Sequence, residues 1–154
     1  MYDVIVIGAG SSGAVIATRA SEHPARSVLL IEAGPDYGDI EKTPYDLINS
    51  HNNSYTDHDW GLQYQPTFGR SDPLPRGRVT GGSSAVNTTI ALRGMPEDYD
   101  EWAGQGNGEW AWEKVLPAFR RLERDLDFGD KPYHGDAGPI SIRRYPPEDL
   151  LPQH

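Results

Sequence analysis

Near the N-terminus stands the segment that most narrows what this chain can become. Val4-Ile5-Val6-Ile7 runs without a break into Gly8-Ala9-Gly10-Ser11-Ser12-Gly13. Consecutive β-branched residues suit a parallel strand covered on both faces. Gly8 permits a tight turn, Gly10 lets the backbone approach a pyrophosphate, and Gly13 lets the following helix lie close to the strand. The helix start offers unpaired N–H groups and a positive dipole end to an anion, with Ser11 or Ser12 as the expected cap. Ala14, Val15, Ile16, Ala17 and Ala20 give that helix a small apolar face for the sheet. Ser27-Val28-Leu29-Leu30-Ile31 reads as a second buried strand, with Glu32 at its C-terminal end. A carboxylate there accepts hydrogen bonds from ribose hydroxyls and repels a 2′-phosphate, so the expected ligand is FAD or NAD and not NADP. A glycine turn that binds nothing is the competing reading. Strand, fingerprint, helix, strand and acid in this order argue against it.

Composition closes off other classes. The net charge of −9 argues against nucleic acid and an acidic membrane surface, both of which need clustered Lys and Arg. The absence of cysteine excludes disulfides, thiolate nucleophiles and zinc–cysteine sites. No stretch reaches the length of a membrane span. Met1-Tyr2-Asp3 leads straight into the first strand, so the expectation is a cytoplasmic protein without a signal peptide. A length of 154 residues suits one domain, although 36% hydrophobic residues with 17 Gly and 13 Pro is a turn-rich balance for an enzyme core.

A doubly wound domain would continue to alternate strands and helices after Glu32, but Ala33-Gly34-Pro35 breaks the pattern. Residues 34–80 form a tract of little periodicity that carries Tyr45, Tyr55, Trp60, Tyr64 and Phe68. It reads as a long ordered loop over the cofactor, or as a loop whose aromatics merely tie it to the sheet. A second glycine turn follows within Pro75-Arg76-Gly77-Arg78-Val79-Thr80-Gly81-Gly82-Ser83-Ser84-Ala85-Val86-Asn87. Gly81 and Gly82, with Ser83 and Ser84 at an expected helix start, could form a second anion-binding nest, with Asn87 one turn into that helix. A glycine–serine turn capping an ordinary helix is the alternative there.

Further on, Pro96 with Glu97, Asp98 and Asp100 marks a helix start. Residues from Trp112 to Arg124 place Val115, Leu116, Phe119 and Leu122 at helical spacing, with Pro117 as an expected disturbance. Ile140-Ser141-Ile142 alternates like a short strand. The histidines His23, His51, His58, His134 and His154 show no ligand spacing, so no metal is expected, and Asp57-His58-Asp59 reads as a solvated polar loop. Two recognisable strands are too few for a stable parallel sheet.

Together, Gly8-Ala9-Gly10-Ser11-Ser12-Gly13, Glu32-Ala33-Gly34, Asp59-Trp60 and the segment from Gly77 to Asn87 resemble the glucose–methanol–choline (GMC) family of FAD-dependent oxidoreductases. Arg93-Gly94-Met95-Pro96-Glu97-Asp98-Tyr99-Asp100-Glu101-Trp102, Gly108-Glu109-Trp110-Ala111-Trp112, Val115-Leu116-Pro117-Ala118-Phe119 and His134-Gly135-Asp136-Ala137-Gly138-Pro139 are similar to its continuation. Thr80 departs from the family's aliphatic residue.

The resemblance implies an α/β, Rossmann-like FAD-binding domain, of which residues 1–154 are the N-terminal part. Its pieces would be a βαβ unit at 3–32, a cofactor-covering loop at 34–80, and the second glycine turn and helices at 77–124. Gly8, Gly10 and Gly13 would form the first turn, Ser11 and Ser12 would meet the pyrophosphate, and Glu32 with Ala33 the adenosine ribose. Val79, Gly82 and Ser83 would line the cofactor, and Asn87, Thr88, Thr89 and Ile90 would run beneath the flavin. Some members attach FAD through a histidine before the asparagine; Val86 stands there, which implies non-covalent FAD. The implied reaction is oxidation of an alcohol to an aldehyde or ketone by hydride transfer to flavin N5. A non-redox, hydroxynitrile lyase-like enzyme or an inactive FAD-binding fragment are the alternatives. The family's catalytic histidine and substrate domain would lie outside this chain, so the expected partner is the C-terminal fragment as a second polypeptide.

Overall fold

The fingerprint folds as strand, turn and helix. In the computed structural model, which describes residues 1–50 and 56–146, β1 (Val4–Ile7), α1 (Ser11–Ser21) and β2 (Val28–Ile31) form a βαβ unit. β1 and β2 pair in parallel, Val4 opposite Val28 and Ile7 opposite Ile31. The Asp3 carboxylate clamps the start of the pair by accepting from the Ser27 amide at 2.8 Å and its hydroxyl at 2.7 Å. At the other end the Gly8 N–H continues the ladder onto the Ile31 carbonyl at 2.7 Å. Two expectations need correction. Val6 is buried, but Ile5 and Ile7 are 57% and 84% exposed, because α1 covers one face and nothing among the described residues covers the other. The helix is capped by Gly10 with no side-chain bond, not by Ser11 or Ser12.

The chain divides into two compact units, one up to Ile90 and one from Ala91 onward. In the first unit, the tract after Glu32 is more regular than its composition suggests. It holds a 3₁₀ turn at Ile40–Lys42, where the Asp39 carboxylate accepts the Glu41 amide, and a single helical turn, α2 (Tyr45–Ile48). An antiparallel hairpin follows, β3 (Gln63–Thr67) with β4 (Arg70–Pro73), turning at Phe68-Gly69 with Gly69 at φ +77°. Its ladder continues past the strand ends: Leu74 N–H to Leu62 carbonyl, Trp60 to Arg76 and Arg78 to His58, at 2.8, 3.0 and 2.7 Å. Tyr55 and His51 lie outside the described residues.

The second glycine turn also differs from expectation. Gly81 and Gly82 sit at φ +97° and +56°, and only one 3₁₀ turn, Gly82–Ser84, follows. No helix carries Asn87. Its carboxamide oxygen accepts the Thr89 amide at 2.8 Å, and Thr89 itself turns at φ +56°.

In the second unit, α3 (Pro96–Gly104) begins with Pro96 in its first turn, and the Asp98 carboxylate accepts the Met95 amide at 2.7 Å. α4 (Trp112–Leu122) contains Pro117 and stops short of Arg124. Glu123–Asp125 becomes β5 and pairs in parallel with β6 (Ile140–Ile142). Tyr99 is buried at the centre of an aromatic core, its ring 5.7 Å from Trp102, 5.5 Å from Trp112 and 5.6 Å from Phe119. The tail beyond Pro146, with His154, lies outside the described residues.

Candidate cofactor site

The first glycine turn opens onto a cleft of about 590 Å³. Gly8, Gly10, Ser11, Ser12 and Gly13 line one side, and Ile7, Ile31, Glu32 and Ala33 the ends of the strands. Gly82 and Ser83 border it from the second turn. The two turns dock on each other directly. Gly81 donates its N–H to the Ala9 carbonyl at 2.8 Å, and the hydroxyls of Ser11 and Ser84 stand 2.5 Å apart. A Cβ on Gly82 would lie 2.9 Å from Gly10 Cα, and one on Gly13 would collide with the Gly8 carbonyl. Glycine at both positions is therefore a demand of packing.

Glu32 stands at the C-terminal end of β2, beside the first glycine turn, and its carboxylate bonds to that turn. One carboxylate oxygen accepts the Ala9 amide at 2.7 Å and the other the Gly34 amide at 2.9 Å. The Gly34 and Ala9 N–H groups hold its carboxyl below the usual range against partial desolvation, so it is ionised at neutral pH. A carboxylate offers about four acceptor positions. Two are used on the turn, and the remainder can take ribose hydroxyls.

A dinucleotide fits these residues. The first turn of α1 has no side-chain cap, so its amides remain for an anion, and the close glycine turns leave backbone instead of side chains around it. Three cleft residues come from the tract and ladder: Trp60, Arg76 and Gly77. Arg76 lies just upstream of the second glycine turn; Trp60 reaches the cleft through the ladder to residues 76–78. Other expected residues are elsewhere. Val79 is 2% exposed and lines a separate cavity with Tyr37 and Leu47, so its side chain does not reach the cleft. Asn87, Thr88, Thr89 and Ile90 do not border it either; they form an exposed run.

His58, expected to be solvated, is buried. Its Nδ1 lies 3.0 Å from the Asp46 carboxylate and its Nε2 2.7 Å from the Tyr37 hydroxyl.

In the second unit, Glu123, Asp125 and His134 converge, with ligand-capable atoms within 4.8 Å of one another. Arg93 pairs with Glu123, and Arg144 with Asp125 at 2.5 Å, so both carboxylates are already neutralised. His134 Nδ1 is 3.1 Å from Glu123 Oε1, within hydrogen-bond reach, and 2.8 Å from Asp125 Oδ2. The Arg144 guanidinium and the Phe128 and Asp127 amides hold the Asp125 carboxyl far below its ordinary range, against burial. Burial alone would raise Glu123, but Arg93 and the Gly135 amide outweigh it and lower its pKa. This is a charge-balanced ionic knot.

Residues 2–149 match the sequence model of the GMC oxidoreductase family. The chain belongs to that family. Its relatives include a 5-(hydroxymethyl)furfural oxidase of Methylovorus sp. strain MP688, 38% identical over 94% of this chain. Choline oxidase of Arthrobacter globiformis is 41% identical over 96% of it, and pyridoxine 4-oxidase of Microbacterium luteolum 42% identical over 92%. The chain spans 28–29% of the length of these relatives. The crystal structure of a pyridoxine 4-oxidase from Mesorbium loti superposes on 99% of this chain and 30% of its own, with a TM-score of 0.84 at 32% identity. The α/β, Rossmann-like class is that of the family's N-terminal, FAD-binding portion, and FAD is the family's cofactor. No helix among the described residues is long and apolar enough to cross a membrane.

Proposed function

We propose that the protein carrying this chain is a GMC oxidoreductase that oxidises an alcohol to an aldehyde or ketone, with this chain supplying most of its FAD site. One observation carries the reading: two glycine turns docked on each other beside an ionised Glu32, around a cleft of about 590 Å³. Bound there, FAD would supply the hydride-accepting N5 of its ring. Ser11, Ser12 and the first amides of α1 would hold the pyrophosphate, with Gly8, Gly10 and Gly13 keeping side chains out of the way. Glu32, with Ala33 beside it, would take the adenosine ribose. Gly82 and Ser83 would close the turn over the cofactor, Asn87, Thr88, Thr89 and Ile90 would support the flavin, and Val79 would brace that wall from behind. Val86 is buried and has no nucleophile, which supports non-covalent binding.

No histidine borders the cleft among the described residues, so the general base and substrate pocket belong, in this reading, to the C-terminal part of the enzyme, acting as a second polypeptide beside this one. The bare faces of Ile5 and Ile7 support such a completion. The relatives named above are oxidases, which favours redox chemistry over the lyase alternative. The reading keeps the cytoplasmic placement, tested by cell fractionation.

The test is anaerobic addition of primary and secondary alcohols to the full-length protein. Bleaching of the flavin absorption by one of them is expected, and acid precipitation should release all yellow colour to the supernatant. A protein without reducible flavin would sink the proposal, and colour retained in the pellet would sink the non-covalent attachment.

A further inference from the structure

Among the described residues of the first unit, one imidazole joins three stretches of chain that are far apart in sequence. His58 is 4% exposed. Asp46, on α2, lies 3.0 Å from Nδ1, and Tyr37, just past β2, has its hydroxyl 2.7 Å from Nε2. With a carboxylate at Nδ1, that nitrogen carries the proton, and Nε2 accepts from the Tyr37 hydroxyl. Both ring nitrogens are thus used, and the ring cannot rotate without losing both bonds.

The backbone of His58 begins the ladder that builds the far wall of the cleft. Its carbonyl accepts the Arg78 amide at 2.7 Å, and two residues on, Trp60 donates to the Arg76 carbonyl at 3.0 Å. Between them, the Asp59 carboxylate accepts the Arg76 amide at 2.5 Å and the Gly61 amide at 2.7 Å. Among the described residues, Trp60 is the one aromatic and Arg76 the one basic side chain that line the cleft. One offers a flat apolar face to a ring, the other a cation to a phosphate.

We propose that His58 is a positioning residue for the dinucleotide: held by Tyr37 and Asp46, it fixes the register of residues 58–60 on 76–78 and so sets Trp60 and Arg76 against the bound cofactor. The proposal rests on the FAD reading of the cleft. A shift of about one ångström in such a wall is enough to cost an order of magnitude or more in a positioned interaction. Neither side chain is replaced by the His58 variants, so any effect on the cofactor must travel through the ladder.

The experiment uses the full-length protein and the variants His58→Leu, His58→Asn and Tyr37→Phe. Two readouts are taken: amide hydrogen exchange, and the flavin's dissociation rate with its visible circular dichroism. In His58→Leu, the Trp60 and Arg78 amides should exchange faster while those of β1 and β2 keep their protection, and flavin should leave about tenfold faster with an altered dichroism band. His58→Asn retains a donor toward Asp46 but not the bond to Tyr37, so it should restore part of both effects. Unchanged Trp60 and Arg78 protection in His58→Leu overturns the proposal. Should that variant not fold, Tyr37→Phe decides by the same amides, and unchanged protection there has the same meaning. Faster exchange with unaltered flavin retention and dichroism also overturns it, because the clip would then be structural only. A parent protein that holds no flavin would instead defeat the FAD reading, and with it the positioning claim, while the amides would still show whether the clip exists.

Discussion

The glycine cradle of the first unit and the ionic knot of the second are built by opposite means. Both bring distant backbone into close approach through glycines: Gly13 and Gly82 in the cradle, Gly135 and Gly138 beside the knot. The cradle then leaves hydrogen-bonding capacity facing open space, at the uncapped α1 and the remaining acceptor positions of Glu32. In the knot, capacity is turned inward. Asp125 has a fully buried side chain with three donors on one oxygen and His134 beside the other. The difference is where polar capacity points: in the knot it is spent mostly on other groups of the fold, in the cradle it faces the cleft.

Breaking the knot should have the largest effect. Asp125→Asn removes the charge that Arg144 and the Asp127 and Phe128 amides bind on a buried oxygen, and should destabilise the fold by about 1.5–3 kcal/mol, the worth of hydrogen bonds to a charged group. Denaturant unfolding measures this, and a loss within error of zero would mean that the Asp125 charge contributes nothing to stability. Glu32→Gln acts on the cradle and should weaken flavin binding by about 1.5–3 kcal/mol. A glutamine has one acceptor oxygen, and its NH₂ would confront the Ala9 or Gly34 amide. Parent-like flavin affinity by titration would remove the ribose role.

Acid separates the regions more gradually. Asp125 and Glu123 have folded-state pKa values below their unfolded ones. Their contribution to stability is therefore complete above the ordinary carboxylate range of about 4, and is lost as pH falls through the lowered folded values. Stability should decline below about pH 4 by up to about 1.4 kcal/mol per pH unit for each group, and Asp125→Asn should flatten that slope. An equal slope in the variant would refute the assignment. Smallest of all is Glu22→Gln. It breaks the exposed pair with Arg19 on α1, with side chains 58% and 70% exposed, and should leave stability unchanged within error.

What could be read in the sequence was local. The β1 turn, α1, β2 and Glu32 lie in one continuous stretch, and their hydrophobic run and glycine spacing carry the geometry with them. α3 was legible for the same reason, through Pro96 and the acids after it. The hairpin was not: every residue of β3 is exposed, so it has no buried alternation to recognise, and Gly69 was its only turn signal. Gly81 and Gly82 looked like a helix start, but successive positive φ values left room for one 3₁₀ turn. His58 was misjudged because its partners lie 12 and 21 residues away, beyond any local pattern. The strand at Glu123 was hidden by helical spacing that runs up to it, and only its pairing with Ile140 pulls those residues out of α4.

The bond between the Ser11 and Ser84 hydroxyls joins residues 73 apart in sequence. Closing a loop of that size costs about 4 kcal/mol of chain entropy before any constant term. A ribosome delivers the first turn long before its counterpart, so a nascent chain has β1, α1 and β2 in hand while the cradle is still missing half of its rim. Completion of the cradle therefore waits on residues 81–84, whose docking on the first turn supplies the second half of its rim.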